Sequence, residues 1–75
     1  MNAKKFEKLK KILQENQKSI IQVNFDLRYG SFLKFSPERM KVDESSIMIN
    51  DSVIRQMEIN KCSILYGNYD EEVIS

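Results

Sequence analysis

The chain has 75 residues and a formal net charge of +1, with one cysteine and no histidine. A chain of this length forms one small domain, residues 1–75, whose core alone rarely contributes more than roughly 3 to 5 kcal/mol. Because Cys62 has no partner, an intramolecular disulfide is excluded. The lack of histidine removes the usual general base near neutral pH and the common zinc ligands. We therefore expect a protein that is not an enzyme and that holds no metal and no cofactor.

Residue usage also bears on location and origin. The basic start of the chain is followed by no signal-like apolar segment and by no run of about eighteen apolar residues, so we expect no contact with a membrane. A single cysteine fits a reducing compartment, which predicts a cytoplasmic protein. Lysine, isoleucine and asparagine, the residues of AT-rich codons, are abundant. This usage favours a phage or another mobile element of a low-GC bacterium as the source.

Charge is distributed unevenly along the chain. Residues 1–18 contain six lysines and two glutamates, a local charge of +4, and residues 19–41 have a local charge of +2. Residues 42–75 contain seven acidic and two basic residues, a local charge of −5. Two interpretations remain open: the two ends attract each other within the fold, or one charged pole meets an oppositely charged partner.

The first predicted element is a helix over residues 3–17. Phe6, Leu9 and Leu13 fall on one narrow apolar face at helical spacing. Asn2 is placed to cap the first turn. The opposite side is basic and carries Lys4, Lys8 and Lys11. These lysines form either a solvated face or part of a nucleic-acid-binding surface.

An antiparallel hairpin is predicted next. Apolar and polar residues alternate over 21–27, which indicates a half-buried strand, and a return strand follows. A three-residue loop with Gly30 in the left-handed conformation pairs Phe25 with Leu33, whereas a two-residue turn would mix the apolar and polar faces. The three-residue loop predicts that Arg28 and Tyr29 form the tip and that Ile20, Phe32 and Lys34 lie on the outer face.

The rest of the chain is predicted to form further short strands. Residues 36–38 form a turn around a proline, and strands follow over 40–42 and 46–50. Over 53–60 a strand and a short helix are both compatible with the sequence, and alternation favours the strand. Residues 67–75 are expected to form a frayed acidic tail. No internal repeat is evident.

Together these elements predict an α+β fold, with one N-terminal helix packed on an antiparallel four- or five-stranded β-meander over residues 19–66. An antiparallel sheet covered on one face should alternate apolar and polar residues, but apolar residues occur here on both faces. Ile20, Phe32 and Met48 are expected on the uncovered outer face. Leaving large apolar side chains in water forgoes roughly 1.5 to 3 kcal/mol each, so we expect a homodimer or a complex with another protein.

Function is predicted from this surface, since no catalytic motif is present. Exposed aromatic residues beside arginine are typical of protein interfaces, which predicts a non-catalytic protein-binding module, such as a small inhibitor or accessory factor. The protein-binding residues would be Arg28, Tyr29, Phe32, Lys34, Ile20 and Met48. The alternative is a small nucleic-acid-binding module, because aromatic residues can stack on bases while cations hold phosphates. Its residues would be Lys4, Lys8, Lys11, Arg28, Tyr29 and Lys34.

Overall fold

One α-helix and seven β-strands make up the fold in the computed structural model, which describes residues 1–75. The helix is α1 (Ala3–Glu15), and short 3₁₀ turns lie at Pro37–Arg39 and Gln56–Glu58. The strands are β1 (Ile20–Leu27), β2 (Phe32–Phe35), β3 (Met40–Val42), β4 (Ser46–Ile49), β5 (Ser52–Arg55), β6 (Ile59–Tyr66) and β7 (Glu71–Ile74). The predicted α+β class, with one N-terminal helix and antiparallel strands, is confirmed.

Helix α1 is defined by caps at both ends and by one apolar face. The side-chain oxygen of Asn2 accepts a hydrogen bond from the Lys5 backbone N–H at 2.8 Å, as expected for an N-cap. The helix ends at Glu15, slightly before the predicted end, where Asn16 leaves helical geometry with φ −117° and ψ 17° and its side-chain nitrogen donates to the Ile12 carbonyl. The predicted apolar face is buried and consists of Phe6, Leu9 and Leu13.

The strands divide into two antiparallel sheets instead of forming one meander. The four-stranded sheet has the order β2-β1-β6-β7, and the three-stranded sheet has the order β3-β4-β5. Pro37 and its 3₁₀ turn redirect the chain after β2, because proline lacks the N–H that a paired strand needs. Strands β3 to β5 therefore form a meander of their own, and the chain then returns to pair β6 with β1.

Two later segments join these sheets as strands. The strand interpretation of residues 53–60 is confirmed for 53–55 and 59–60, which lie in β5 and β6, and is wrong for Gln56–Glu58, which form a 3₁₀ turn. The expected frayed tail over 67–75 is wrong, because these residues form a turn and the edge strand β7. Ile74 is buried in the core, and Glu72 accepts a hydrogen bond from the Tyr66 hydroxyl at 2.7 Å. These two contacts hold the acidic segment against β6.

The core joins α1 to both sheets. Phe25 and Phe35 meet edge to face with their ring centroids 5.2 Å apart, a favourable arrangement for an aromatic pair. The other core residues are Phe6, Leu9, Leu13, Ile20, Val23, Ile47, Ile49, Ile54, Ile59, Cys62, Ile64 and Ile74. Both sheets contribute side chains to this core. Many of the apolar residues that one covered sheet face could not bury are therefore buried between the two sheets and the helix.

The β1–β2 hairpin has the predicted register. Phe25 pairs with Leu33, and Val23 pairs with Phe35. Gly30 adopts φ +80°, which is the left-handed conformation expected in a three-residue loop. The loop therefore keeps the apolar faces of the two strands on the same side of the sheet.

The β6–β7 hairpin repeats the β1–β2 hairpin, although the sequence shows no evident repeat. Each residue of β6 stands 39 positions after its counterpart in β1, as Ile59 does after Ile20, and the burial pattern is identical along the two strands. The burial patterns of β2 and β7 are also identical. Asn24 and Ser63 are counterparts in this alignment and also pair with each other. An approximate two-fold axis therefore passes between them and relates the two hairpins.

Backbone hydrogen bonds follow the same relationship. The Leu27 N–H donates to the Ser31 carbonyl at 2.8 Å, and in the second hairpin the Tyr66 N–H donates to the Asp70 carbonyl at 2.9 Å. Each central strand also contains a β-bulge shortly after its start. The repeat thus includes the irregular features of the hairpins as well as their strands.

The repeat lies in conformation and not in residue identity. Across the two aligned hairpins only Ile20 and Ile59 are the same residue. Gly30 and Tyr69 occupy equivalent left-handed positions, with φ +80° and φ +68° respectively. A search for repeated residues therefore could not have found the second hairpin.

Candidate interaction surface

The tip of the β1–β2 hairpin presents two of the predicted binding residues to solvent. Arg28 is exposed, and Tyr29 is 78% exposed. The tip is nevertheless held in place, because the Arg28 N–H donates to the Glu58 carbonyl at 2.7 Å. The Asn60 side-chain nitrogen also donates to the Leu27 carbonyl at 3.3 Å. These bonds tie the tip to the start of β6 and make it a fixed part of the surface.

Phe32 and Lys34 extend this surface along the outer face of β2, as predicted. Phe32 is 65% exposed and pairs with Asp26, while Lys34 is exposed and pairs with Asn24. Alternation along the strand places the buried Phe35 on the core side, so Phe32 and Lys34 face away from the core. We use the name tip surface for Arg28, Tyr29, Phe32 and Lys34.

Ile20 does not belong to this surface, and its prediction as an exposed residue is wrong. The Ile20 side chain is only 5% exposed. A β-bulge at Ile21 shifts the register between β1 and β6, so that Ile21 and Gln22 are both exposed. Ile20 consequently shares the buried face with Val23, and Ile21 takes the exposed position.

Met48 is also separate from the tip surface. It lies in β4, the central strand of the three-stranded sheet, and is half-buried between the buried residues Ile47 and Ile49. Because Phe32 lies in the other sheet, the expected outer face that combined Ile20, Phe32 and Met48 is wrong. Of these three residues only Phe32 is exposed.

Four further exposed apolar residues lie outside the predicted binding set: Val53, Met57, Tyr69 and Val73. Met57 lies in the 3₁₀ turn before β6 and precedes Glu58, whose carbonyl holds the tip, so Met57 is close to the tip surface. Tyr69 is 81% exposed at the end of the β6–β7 hairpin, and Val73 is exposed on β7. Alternation places Met57 inward, and only the turn residues 67–68 signal that Tyr69 follows a strand end.

The basic face of α1 is exposed, as predicted, and carries Lys4, Lys8 and Lys11. Lys8 and Lys11 border an open cleft between α1 and the β3–β4 turn, where Asp43 and Glu44 provide opposite charges. The cleft contains none of the tip-surface residues. This arrangement supports attraction between the basic N-terminal part and the acidic later part within the fold.

Lys10 is buried, unlike the other lysines of α1. Its Nζ lies 2.8 Å from a Glu7 carboxylate oxygen and donates to the Glu44 carbonyl. It also lies 5.1 Å from the centroid of the Phe6 ring. A buried ammonium group needs such partners because burying an unpaired charge is costly. Lys10 therefore links α1 to the β3–β4 turn and is not available to a ligand.

Cys62 is fully buried in β6. Burial, with a smaller contribution from the charge of Glu72, raises the pKa of the Cys62 thiol to about 12. Since the thiolate is the nucleophilic form, Cys62 is an inert core side chain near neutral pH. Burial and the hydrogen bond to Glu72 likewise raise the pKa of Tyr66 to about 12. Near neutral pH both groups are therefore protonated and offer no reactive site.

No group of three or more histidine, cysteine, aspartate or glutamate residues is arranged to hold a metal ion. Helix α1 lacks the length and the apolar character needed to cross a membrane. Comparison of the chain with protein-family models, with curated proteins and with solved structures finds no match. The function proposed below therefore rests on the tip surface itself.

Proposed function

We propose that this protein is a non-catalytic protein-binding module that uses the tip surface. The observation that carries the proposal is the exposure of Tyr29 and Phe32 on one well-anchored hairpin. Aromatic side chains and arginine usually dominate the binding energy of protein interfaces. Arg28 and Lys34 add charges beside the two rings, which favours orientation of a partner.

The anchoring of the hairpin favours binding by a preformed surface. The Arg28 N–H is bonded to Glu58, and the Gly30 N–H donates to the Leu27 carbonyl at 3.1 Å. A partner would not have to order the loop, so the entropy cost of binding would fall mainly on side chains. Met57, exposed beside the tip, would add apolar area to the contact.

Size and composition support a role as a small inhibitor or accessory factor that acts on another protein. The chain contains no histidine, and its one thiol is buried with a pKa of about 12, so neither an imidazole base nor a reactive thiol is available for catalysis. Its usage of lysine, isoleucine and asparagine supports an origin in a phage or mobile element of a low-GC bacterium. A cytoplasmic location fits the single cysteine. Self-association, in its simplest form a homodimer, is part of the same proposal.

A capture experiment with matched variants tests the protein-binding function. The parent and the variants Tyr29→Ala, Phe32→Ala and Tyr69→Ala are immobilised, and proteins retained from a host lysate are identified by mass spectrometry. Tyr69→Ala is the control, because it removes an equally exposed ring from the other hairpin. A protein retained by the parent and by Tyr69→Ala, but lost with the two tip variants, supports the proposal. Equal retention by all four proteins contradicts it.

Nucleic-acid binding is the second candidate, favoured by the position of Arg28 and Lys34 beside two exposed rings. Such rings can stack on unpaired bases while the cations contact phosphates. The lysines of α1 support it less, because Lys8 and Lys11 face acidic residues across the cleft. A salt titration of binding to single- and double-stranded oligonucleotides is the test. Phosphate contacts predict an affinity that falls steeply with salt, and the lack of measurable binding at low salt would contradict this candidate.

A further inference from the structure

Strands β2 and β7 are the two edges of the four-stranded sheet, and each pairs with only one neighbour. In an antiparallel pair, the backbone groups of successive residues point alternately towards the neighbouring strand and away from it. The bond from the Leu27 N–H to the Ser31 carbonyl fixes this alternation in the first hairpin. It follows that the backbone N–H and C=O groups of Phe32 and Lys34 point away from β1, towards the open edge of the sheet.

The β7 edge has the same arrangement because of the approximate two-fold relationship. The bond from the Tyr66 N–H to the Asp70 carbonyl is the counterpart of the bond between Leu27 and Ser31. The backbone groups of Glu71 and Val73 therefore also point away from the sheet. Unpaired backbone groups on an edge strand form a template on which another strand can be added.

The side chains at the two edges are complementary. The exposed residues of β2 are Phe32 and Lys34, an aromatic residue and a cation. The exposed residues that occupy the equivalent outward positions of β7 are Glu71 and Val73, an anion and an aliphatic residue. One edge is therefore basic, the other is acidic, and each carries one exposed apolar side chain.

We propose that a second copy of this chain binds at these edges, with β7 of one copy antiparallel to β2 of the next. In the register that aligns the free backbone groups, Phe32 lies opposite Val73 and Lys34 lies opposite Glu71. Both residue pairs then exchange backbone N–H···O=C bonds across the junction. This inference rests on the proposed function, because it names the partner of the β2 part of the tip surface.

Both cross-strand pairs belong to the kinds that stabilise antiparallel strands. Phe32 with Val73 is an aromatic and β-branched pair, and Lys34 with Glu71 is a pair of opposite charges. On the core side of the junction Leu33 lies opposite Glu72, whose carboxylate is already held by the Tyr66 hydroxyl. The junction thus adds no unpartnered carboxylate.

Pairing of two identical edges is less favourable than this head-to-tail pairing. Two β2 edges bring together the basic residues Arg28 and Lys34 of both copies, and two β7 edges bring together Asp70, Glu71 and Glu72. Like charges placed close together oppose association. A head-to-tail junction also leaves one edge free at each end, so further copies can add. The mean mass should therefore rise with concentration and not stop at the dimer.

Charge reversal at the two edges tests the proposed register. Lys34→Glu alone and Glu71→Lys alone each place like charges opposite each other, and each should weaken self-association about tenfold in sedimentation velocity. An equimolar mixture of the two variants places unlike charges opposite each other at every mixed junction. The mixture should regain the association of the parent, and so should the double variant Lys34→Glu with Glu71→Lys.

Matched controls carry the same changes of charge away from the edges. Lys8→Glu reverses an exposed lysine of α1, and Asp51→Lys reverses an exposed acid in the β4–β5 turn. Both should associate as the parent does. Val73→Pro removes an outward N–H without removing a bond to β6, since proline is tolerated at such edge positions. It should abolish association while the circular dichroism spectrum stays that of the folded parent.

Recovery in the mixture, with unchanged controls, supports the proposal. It is overturned if the parent stays monomeric at high micromolar concentration, if the single variants associate as strongly as the parent, or if the mixture fails to recover. Failure here is distinguishable from failure of the proposed function, because Tyr29 lies outside the paired edge. Tyr29→Ala should strongly weaken the capture of another protein and leave self-association unchanged.

Discussion

Tyr69 occupies in the β6–β7 hairpin the left-handed position that Gly30 occupies in the β1–β2 hairpin, with φ +68° against φ +80°. The two turns make the same backbone hydrogen bonds, so the difference between them lies in the side chain. A left-handed conformation costs a residue with a Cβ roughly 1 to 2 kcal/mol, and glycine avoids this cost. The second turn is therefore strained where the first is not.

Gly30→Val should lower the free energy of unfolding by more than about 1 kcal/mol, because a β-branched residue is strained at this φ. A Cβ at Gly30 would meet no atom within 4 Å, so the effect is conformational and not a clash. Urea denaturation of the variant and the parent measures it. Gly67→Ala is the control, since its Cβ would make only an ordinary contact at 3.6 Å to the Ser19 carbonyl. An unchanged midpoint for Gly30→Val would show that the loop does not require a left-handed residue.

Tyr69→Gly should have the opposite effect and raise the free energy of unfolding by about 0.5 to 1 kcal/mol. Relief of the left-handed strain exceeds the added entropy of the unfolded chain, and little packing is lost because Tyr69 is 81% exposed. Tyr29→Gly is the matched control, since Tyr29 is similarly exposed but is not left-handed. In thermal and urea denaturation, Tyr69→Gly should be more stable than the parent and Tyr29→Gly less stable. Equal destabilisation by both would mean that Tyr69 stores no strain.

The β1–β2 hairpin could be predicted from the sequence because its determinants are local. The alternation of apolar residues, one glycine and a short loop fix the pairing of Phe25 with Leu33 without reference to the rest of the chain. The exposure of Tyr29 and Phe32 follows from that register. The exposed positions that the sequence predicts correctly are therefore those set by this hairpin.

The remaining features depend on contacts between distant segments. The pairing of β1 with β6 spans the whole β3–β5 meander, and the bulge at Ile21 that buries Ile20 is visible only once β6 is in place. Strand β7 is hidden in the sequence because Glu71 and Glu72 suggest a solvated tail. It is the burial of Ile74 and the bond from Tyr66 to Glu72 that make it a strand.

Stability should fall at alkaline pH because of Cys62. Burial raises its pKa from 9.0 to about 12, so well below pH 9 the thiol is protonated in both the folded and the unfolded chain and gives no pH dependence. As the pH rises from 9.0 towards 12, the thiol of the unfolded chain ionises while the folded one stays protonated. Unfolding then releases a proton, and the free energy of unfolding decreases with pH.

The measurement is urea denaturation of the parent and of Cys62→Ala at several pH values from about 8 to 10.5. The comparison concerns the slope against pH, so a loss of packing in the variant does not affect it. Tyr66, whose pKa is raised from 10.0 to about 12, still contributes above pH 10.0 in both proteins. The free energy of unfolding of the variant should therefore decrease less steeply with pH than that of the parent. The difference should be clearest between pH 9.0 and pH 10.0, the ordinary pKa values of the two groups. Parallel slopes would contradict the assignment to Cys62.

Lys10→Ala should lower the free energy of unfolding by about 1 to 2 kcal/mol, because it removes the buried alkyl chain and the donor to Glu44. Lys11→Ala, which removes an exposed lysine of the same helix, should change it by no more than about 0.5 kcal/mol. Lys10→Met keeps an apolar side chain of similar length, so its free energy of unfolding should lie between those of the two alanine variants. If the two alanine variants are equally stable in urea denaturation, Lys10 does not connect α1 to the β3–β4 turn in solution.

The two functional candidates predict opposite results for aromatic and basic variants. If the tip surface binds a protein, Tyr29→Ala and Phe32→Ala should each weaken the complex by about 2 kcal/mol, because aromatic anchors usually dominate interface energy. Replacing Lys4, Lys8 and Lys11 together with glutamine should change the association rate and its salt dependence more than the affinity, as expected for exposed charges.

Nucleic-acid binding predicts that the triple lysine variant weakens binding to every sequence and flattens the dependence on salt, because phosphate contacts are lost. Kinetic binding measurements on the captured partner and on an oligonucleotide, at two or more salt concentrations, separate these outcomes. Lys5→Gln together with Lys18→Gln is a useful comparison, since it removes other exposed lysines from the same end of the chain. If the aromatic variants bind as tightly as the parent while the triple lysine variant fails, the binding surface is the basic face of α1, and the tip surface is not the site.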